Sequence, residues 1–241
     1  MIFGAIVAGG IGSRLNISSV PKQFMMLGDK PIIIHTLEKF ILCDRIDYIY
    51  IGVHRDWTVY MNDLLEKYKI DKEKVFIVEG GDTRNNTILN VINSIEKRFC
   101  EDDSHIIVTH DAVRPFVTLK IIQDNIDSAL RYGACDTVAP AVDTIVESKD
   151  GDVISSIPDR KYLYQGQTPQ SFNMGKLKKI YNSLSDEDKS ILTDACKIFL
   201  FGNESVHLVK GESSNIKITT IGDYKIAQAM VNGEDIKLNK I

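Results

Sequence analysis

AIVAGGIGSRLNISSVPKQ, residues Ala5 to Gln23, joins a short apolar run to a loop that combines glycine with positive charge. The run Ile2 to Val7 reads as a buried strand. Gly9, Gly10 and Gly12 follow it, tolerate positive φ, and let backbone N–H groups come close to a ligand. Arg14 and Lys22 add two cations to the same loop. Amides and fixed positive charge at the end of a first strand form a cradle for a polyphosphate.

Spacing separates three phosphate-binding loops. A Walker A loop needs Gly-Lys-Ser/Thr after four free positions, whereas Lys22 follows Pro21. A dinucleotide fingerprint aligned on Gly10 and Gly12 needs a third small residue where Leu15 stands. It also needs an acid closing the second strand, where Val53-His54-Arg55 stands, so a reductase reading fails as well. The remaining pattern, A-G-G-x-G-x-R followed by P-K, is similar to the signature loop of nucleotidyltransferases that couple a sugar phosphate or polyol phosphate to a nucleoside triphosphate. On these residues alone, a glycine-rich turn with solvated charges stays open.

Downstream, the chain alternates. Pro31 opens a helix with an apolar stripe at Ile32, Ile33, Leu37, Phe40 and Ile41. Ile46 to Val53 reads as a strand, and a helix follows through Trp57, Met61, Leu64 and Leu65. Val75 to Val78 is a third strand, ending in Gly80-Gly81-Asp82-Thr83-Arg84, which opens a helix carrying Ile88, Val91, Ile92 and Ile95. This rhythm predicts a Rossmann-like, doubly wound α/β fold with a mostly parallel sheet, its ligands beyond the carboxyl ends of the strands. The strand Ile106 to Thr109 runs into His110-Asp111-Ala112-Val113-Arg114-Pro115. Asp111 there is a magnesium ligand or the cap of a helix over 118–132; the cations of the first loop favour the metal, because a triphosphate leaves charge for it to offset.

The 241 residues carry 29 Lys and Arg against 33 Asp and Glu, a net charge of −4, which argues against a nucleic-acid surface. Any anion must be captured locally. Cys43, Cys100, Cys135 and Cys196 form no C-x-x-C pair, no leader opens the chain, and no apolar run is long enough to cross a bilayer, so a reducing cytoplasm is expected. The five histidines lack zinc-ligand spacing. No repeat or linker is evident, and one domain over 1–241 with an inserted arm at about 140–160 is expected.

That arm is read from the alternation at 144–148, a Lys-Asp-Gly-Asp turn, and 153–157, a β-hairpin outside the βα rhythm. Isolated ribbons are seldom stable, so it packs on a second subunit or folds over its own sheet. Gln165 to Gln170 reads as turn chemistry with amides and hydroxyls suited to a polyol. Ser185 caps a helix carrying Ile191 and Leu192, a further helix covers 195–201, and a last one follows Asp223. Strands are expected at 206–209 and 216–218, with Lys217 opposite its neighbouring isoleucines.

AGGIGSR, PKQF, GGDTRNNT, THDAVRPF, YQGQTPQSF, LTDACKIF and NIKITT occur in this order over nearly the whole chain. Together they resemble the cytidylyltransferase family that contains the methylerythritol-phosphate and ribitol-5-phosphate enzymes, a fold of the nucleotide-diphospho-sugar transferase type. GQTPQSF, LSDEDKSILTDACKIF and VKGE are more similar to the ribitol-5-phosphate members, whose product serves teichoic acid and capsule synthesis. Val113, where methylerythritol enzymes commonly carry alanine, points the same way.

The resemblance implies roles. Val7, Ala8, Gly9 and Gly10 would touch CTP through the backbone, and Arg14 and Lys22 would stabilise charge at its α-phosphate. Gly81, Asp82, Thr83, Arg84, Asn85, Asn86 and Thr87 would read cytosine and ribose, with Thr87 where the family often has serine. Asp111 would hold Mg2+, supported by Arg114. Arg160 and Lys217 would position the polyol phosphate with Thr144, Thr168 and Thr193, the arm carrying Thr144 and Arg160 to the other subunit of a homodimer. A reductase that supplies ribitol 5-phosphate is a possible partner. A phosphate monoester, with a second pKa of about 6, is already an anionic nucleophile, so positioning cations are expected in place of a general base. The alternatives are the methylerythritol-phosphate reaction and a non-catalytic nucleotide-binding protein.

Overall fold

A computed structural model describes residues 1–10, 20–100 and 102–233. Seven strands form one sheet. In chain order its first members are β1 (Ile2–Ala8), β4 (Tyr48–Val53), β5 (Val75–Glu79) and β6 (Ile106–Asp111), all parallel, with β1 between β4 and β6. A small antiparallel pair, β2 (Met26–Leu27) and β3 (Lys30–Pro31), lies apart from it. β7 (Ala134–Pro140), β8 (Tyr164–Asn173) and β9 (His207–Lys210) complete the sheet in the order β5-β4-β1-β6-β8-β7-β9.

Both faces are covered. α1 (Ile32–Ile41), α2 (Thr58–Lys67) and α4 (Leu119–Tyr132) pack one core against the sheet, built on Ile33, Leu37, Phe40, Leu65 and Ile126. α3 (Arg84–Phe99), α5 (Met174–Ser183) and α7 (Cys196–Phe201) pack the other, with Ile88, Ile92, Phe172 and Phe199. β1 serves both: Ile6 and Ala8 face the first core, Phe3 and Ala5 the second, as a strand buried on both sides requires. Each fully buried Ile or Leu contributes about 1.5–3 kcal/mol, which is why these stripes set the helix faces. Helix ends match their sequence signals: Pro31 precedes α1, Thr83 caps α3, and Thr118 caps α4, which stops at Gly133 with φ +85°. The short α6 (Asp186–Ser190) starts at Ser185 and ends before Ile191, and α8 (Ile221–Asn232) opens on a Thr220–Asp223 capping box over a small core with Leu27, Val113 and Ile218. No helix among the described residues is long and apolar enough to cross a membrane.

The expected doubly wound, mostly parallel sheet is present, with differences in its second half. Gln165 to Gln170, read as a turn, lies in β8, antiparallel between β6 and β7. Its turn-forming residues are held by neighbours: Thr109 Oγ1 donates to Gln170 O and Thr137 Oγ1 to Pro169 O. Pro169 falls where the β7–β8 register shifts, the place a sheet admits proline. β7 escaped the pattern because its alternation is interrupted by Asp136 and Thr137. The hairpin at 144–157 is reduced to one bridge, Glu147 with Ser156, and at its turn the backbone bonds to side chains instead, Asp152 and Val153 N–H donating to Asp150 Oδ1. The expected strand at 216–218 is not a strand; Ile218 N–H donates to Val113 O, while Ile216 N–H turns back to Ser214 O. Gly9 and Gly10 are not in positive-φ conformations.

The topology places the arm. Because β8 returns antiparallel after β7, residues 141–163 leave and rejoin the sheet at the carboxyl ends of the parallel strands, the rim where β1 and β6 also end.

Candidate active site

On that rim, a cavity of about 320 Å3 is bounded by the end of β1 at Val7 to Gly10, by Lys22 and Gln23, by Gly81 to Arg84 with Thr87, by Asp111 to Val113, and by Lys217. Its glycines provide closeness. A Cβ on Gly9 would lie 3.1 Å from Thr87 Oγ1, and one on Gly81 2.5 Å from the Asn86 Cβ. Thr87 fixes this edge: its hydroxyl accepts from Gly81 N–H at 3.0 Å and lies 3.0 Å from Thr83 O, while its methyl fills the space a Cβ on Gly52 would need, at 2.3 Å. Gln23 ties the loop, its Nε2 donating to Ala8 O at 2.8 Å and Gly10 O at 3.1 Å. The N-terminus of the 16-residue α3 opens onto the cavity and lends it positive potential.

Asp111 is the hub. It is 7 % exposed, and its Oδ1 accepts from Arg84 Nε at 3.2 Å while Lys217 Nζ lies 2.7 Å and Arg114 Nε 3.8 Å from its Oδ2. Burial alone would raise the Asp111 carboxyl, but Arg84, then Lys217 and Arg114, outweigh it and hold it well below the usual carboxylate range. Thr118, not Asp111, caps α4, so the cap reading of Asp111 falls away. Its backbone N–H donates to Thr168 Oγ1 at 3.1 Å, and Thr168 Oγ1 lies 3.0 Å from His110 Nδ1. With that hydroxyl donating to Nδ1, His110 carries its proton on Nε2 and donates to Arg114 O at 3.1 Å. Burial pushes His110 down to about 4, consistent with the neutral ring this network needs.

Lys217 reaches Asp111 because the segment on either side of it is pinned. Arg114 Nη1 donates to Asn215 O at 2.7 Å, the buried Asn215 Nδ2 donates to Thr168 O at 2.8 Å, and Ile218 is buried beneath α8. Ile216 and Ile218 pack on one cluster and Lys217 points away from it, as expected even without a strand.

A second cavity, of about 210 Å3, lies beyond the hub. It shares Arg84, Asp111 and Lys217 with the first, and adds Arg114, Thr168 and Thr193 and a polar floor of Asp136, Gln170 and Asp194. Gln170 Nε2 spans both acids, 3.0 Å from Asp136 Oδ1 and 2.9 Å from Asp194 Oδ2. Burial pushes Asp136 up to about 6, with Asp194 adding to the rise and Gln170 opposing it.

The two cavities therefore gather Val7, Ala8, Gly9, Gly10, Lys22, Gly81, Asp82, Thr83, Arg84, Thr87, Asp111, Arg114, Thr168, Thr193 and Lys217. Arg14 lies outside the described residues. Asn85 and Asn86 sit in the first turn of α3 but line a separate recess with Tyr181. Thr144 and Arg160 lie in the arm, away from both cavities, where Arg160 Nη1 donates to Val142 O at 2.5 Å. Gln23, Asp136, Gln170 and Asp194 also line the two cavities. Single acids and amides carry no spacing signal, and only the antiparallel entry of β8 brings Gln170 beside Asp136.

Among the described residues, no group of three His, Cys, Asp or Glu could hold a metal. A magnesium ion is usually held by one or two carboxylates together with substrate phosphates; the acids lining the larger cavity are Asp82 and Asp111, and Asp111 has Oδ1 engaged by Arg84 and Oδ2 by Lys217.

Residues 2–233 match the family model described as 2-C-methyl-D-erythritol 4-phosphate cytidylyltransferase. The chain belongs to this cytidylyltransferase family. Among curated relatives, this cytidylyltransferase is 53 % identical over 232 residues to the ribitol-5-phosphate cytidylyltransferase of Streptococcus pneumoniae serotype 2, covering 96 % of the chain and 99 % of that protein. Among solved structures, it is similar to the 4-diphosphocytidyl-2C-methyl-D-erythritol synthase of Anaerococcus prevotii, with a TM-score of 0.77, 27 % identity and 96 % of each chain covered. It is also similar to the 2-C-methyl-D-erythritol 4-phosphate cytidylyltransferase of Francisella tularensis, with a TM-score of 0.78, 26 % identity, and 94 % of this chain and 97 % of that one covered. The family places this cytidylyltransferase among the nucleotidyltransferases.

Proposed function

We propose that this chain transfers the cytidylyl group of CTP to D-ribitol 5-phosphate, releasing pyrophosphate and CDP-ribitol, in supply of a teichoic acid or capsule polymer. The observation that carries the reading is the shared wall. Arg84, Asp111 and Lys217 face both a glycine-lined cavity and a smaller polar one, so two anionic reactants can meet across a single cationic boundary. The high identity to the ribitol-5-phosphate enzyme supports this polyol over the methylerythritol phosphate of the more distant solved structures.

CTP would occupy the larger cavity, its base and ribose against Gly81 to Thr87 and its phosphates against the β1 loop, Lys22 and Arg14. The polyol phosphate would enter the smaller one, its phosphate at Lys217 and Arg114. No proton needs to be removed from a phosphate monoester, so the residues act by holding an anion in line with the α-phosphate and by offsetting charge as pyrophosphate leaves. Asp111 orients three cations and stays ionised, whatever else it binds. Mg2+ on Asp111, when bound, would neutralise phosphate charge and orient the triphosphate.

The arm exposes Val142, Val153, Ile157 and Tyr162, from 61 % to 77 %, an apolar surface suited to a second copy of the chain. The reading extends to a cytoplasmic homodimer of single-domain subunits in which each arm brings Thr144 and Arg160 to its partner's polyol site, with a reductase as a possible source of ribitol 5-phosphate.

Pyrophosphate release from CTP tests the reading, with ribitol 5-phosphate and methylerythritol 4-phosphate offered separately. Faster release with ribitol 5-phosphate is expected; preference for the branched substrate would replace it with the second reading, and release with neither would end it.

A further inference from the structure

The smaller cavity is polarised. At its mouth stand the cations Arg84, Arg114 and Lys217 around Asp111, and its floor is formed by Asp136, Gln170 and Asp194, whose one side-chain donor, Gln170 Nε2, is taken up by the two acids. Gln170 is 2 % exposed, and its Oε1 has no hydrogen-bond partner although its Nε2 is fully engaged with Asp136 and Asp194. Asp136 uses Oδ1 for that amide, while its Oδ2 faces Gly166, where a Cβ would lie 3.7 Å away. Any side chain at 166 would narrow the approach to this oxygen.

Buried acceptors without donors cost stability, about 1–3 kcal/mol for each group left unsatisfied, and they pair only with an incoming O–H or N–H. A second anionic group on the ligand would be repelled by Asp136 and Asp194, and an apolar one would leave Gln170 Oε1 and Asp136 Oδ2 unpaired. The floor therefore selects a neutral group with several hydroxyls, carried on a molecule whose phosphate stays at the mouth.

We propose that Gln170 Oε1 and Asp136 Oδ2 accept hydrogen bonds from the hydroxyls of the polyol that lie farthest from its phosphate, which makes Gln170 and Asp136 residues that determine polyol specificity, with Asp194 positioning Gln170. The inference rests on the cytidylyl-transfer reading of the same site and adds to it the part of the substrate that is recognised and the atoms that recognise it. Discrimination built on buried acceptors is strong, because a substrate lacking the hydroxyl leaves them unpaired, whereas a methylene more or less in an apolar pocket discriminates weakly.

The test compares ribitol 5-phosphate with its 1-deoxy analogue, using the unaltered protein and Asp136→Ala, with CTP saturating. The unaltered protein should show kcat/KM at least tenfold lower for the deoxy analogue, while in Asp136→Ala, which leaves no polar group for that hydroxyl at this position, the two substrates should differ by less than threefold. KM for CTP should change less than twofold in the variant, separating a polyol role from general damage. Gln170→Met, which removes the Oε1 acceptor, should flatten the discrimination in the same way. Equal rates of the unaltered protein with both substrates, or undiminished discrimination in both variants, would overturn the inference while leaving cytidylyl transfer intact. No pyrophosphate release with either substrate would instead remove the reading beneath it.

Discussion

Lys217 Nζ lies 2.7 Å from Asp111 Oδ2, so a residue from the segment before the last helix completes a charge cluster that starts at the end of the fourth parallel strand. One carboxylate thereby orients cations from three separate parts of the chain. The pair is asymmetric: Asp111 is buried, while the Lys217 side chain is 43 % exposed and open to a ligand.

Removing either cation at the phosphate boundary should slow chemistry without unfolding the chain. Lys217→Ala and Lys22→Ala should each lower kcat/KM by two or more orders of magnitude, since one lost charge-stabilising donor raises a barrier by on the order of 3 kcal/mol. Arg14→Ala should behave alike. Steady-state pyrophosphate release, with circular dichroism to confirm folding, checks this; near-normal turnover in Lys22→Ala would displace the cradle.

Asp111→Asn should do more. It leaves Arg84, Arg114 and Lys217 facing one another without their counter-charge, and removing one partner from a buried ion pair costs about 3–5 kcal/mol, less here because Lys217 can turn to solvent. Denaturant unfolding should show a clear loss of stability, and adding a triphosphate should return part of it by supplying the missing negative charge. An unchanged midpoint would mean that the cations are already solvated.

Gly52 and Thr87 should be coupled. Gly52→Ala places a Cβ 2.3 Å from the Thr87 methyl, which is held by hydroxyl contacts to Gly81 and Thr83, so a loss of about 1–3 kcal/mol is expected. Thr87→Ser keeps the hydroxyl and vacates the space. The double variant should recover most of the loss, and a double-mutant cycle by thermal unfolding would expose simple additivity if the contact were unimportant.

Asp136 predicts a pH dependence. Its carboxyl titrates near 6 in the folded protein, above its ordinary 3.8, so the folded state holds the proton more tightly than the unfolded one between about pH 4 and pH 6. Its ionisation therefore destabilises the protein as pH rises through that window, by on the order of 2–3 kcal/mol once complete. Asp136→Asn should be the more stable protein above pH 6 and lose that advantage below pH 4. His110, pushed down to about 4, acts in the opposite sense, its proton favouring the unfolded state as pH falls below 6.5, so the difference between the variant and the unaltered protein is the quantity to follow.

Subunit complementation addresses the arm. Arg160→Ala and Lys217→Ala proteins should each be nearly inactive. Mixed one to one with free subunit exchange, they should regain about a quarter of the normal activity, because half of the dimers would then hold one site with both residues intact. No recovery despite exchange would place Arg160 in its own subunit's site or outside any site.

Much was legible along the chain because its signals are local. The apolar stripes of α1 and α3 and Thr83 before α3 follow from helical period and capping, which need only a few neighbouring residues. β8 was misread because Gln165, Gly166, Thr168 and Pro169 favour turns locally, and the partners that make them a strand are on β6 and β7.

By itself, then, the sequence determined the layered α/β order and the set of charged residues available for an anionic substrate, since periodicity and composition are properties of neighbours along the chain. Only the tertiary structure decided that Arg84, Asp111 and Lys217 form one wall between two cavities, and that Gln170 bridges Asp136 and Asp194 through its Nε2 with its Oε1 left unpaired. Those relations arise where a strand is inserted against the direction of its neighbours and a loop is pinned by buried hydrogen bonds, and contacts between residues 27 to 106 positions apart leave no trace in local pattern.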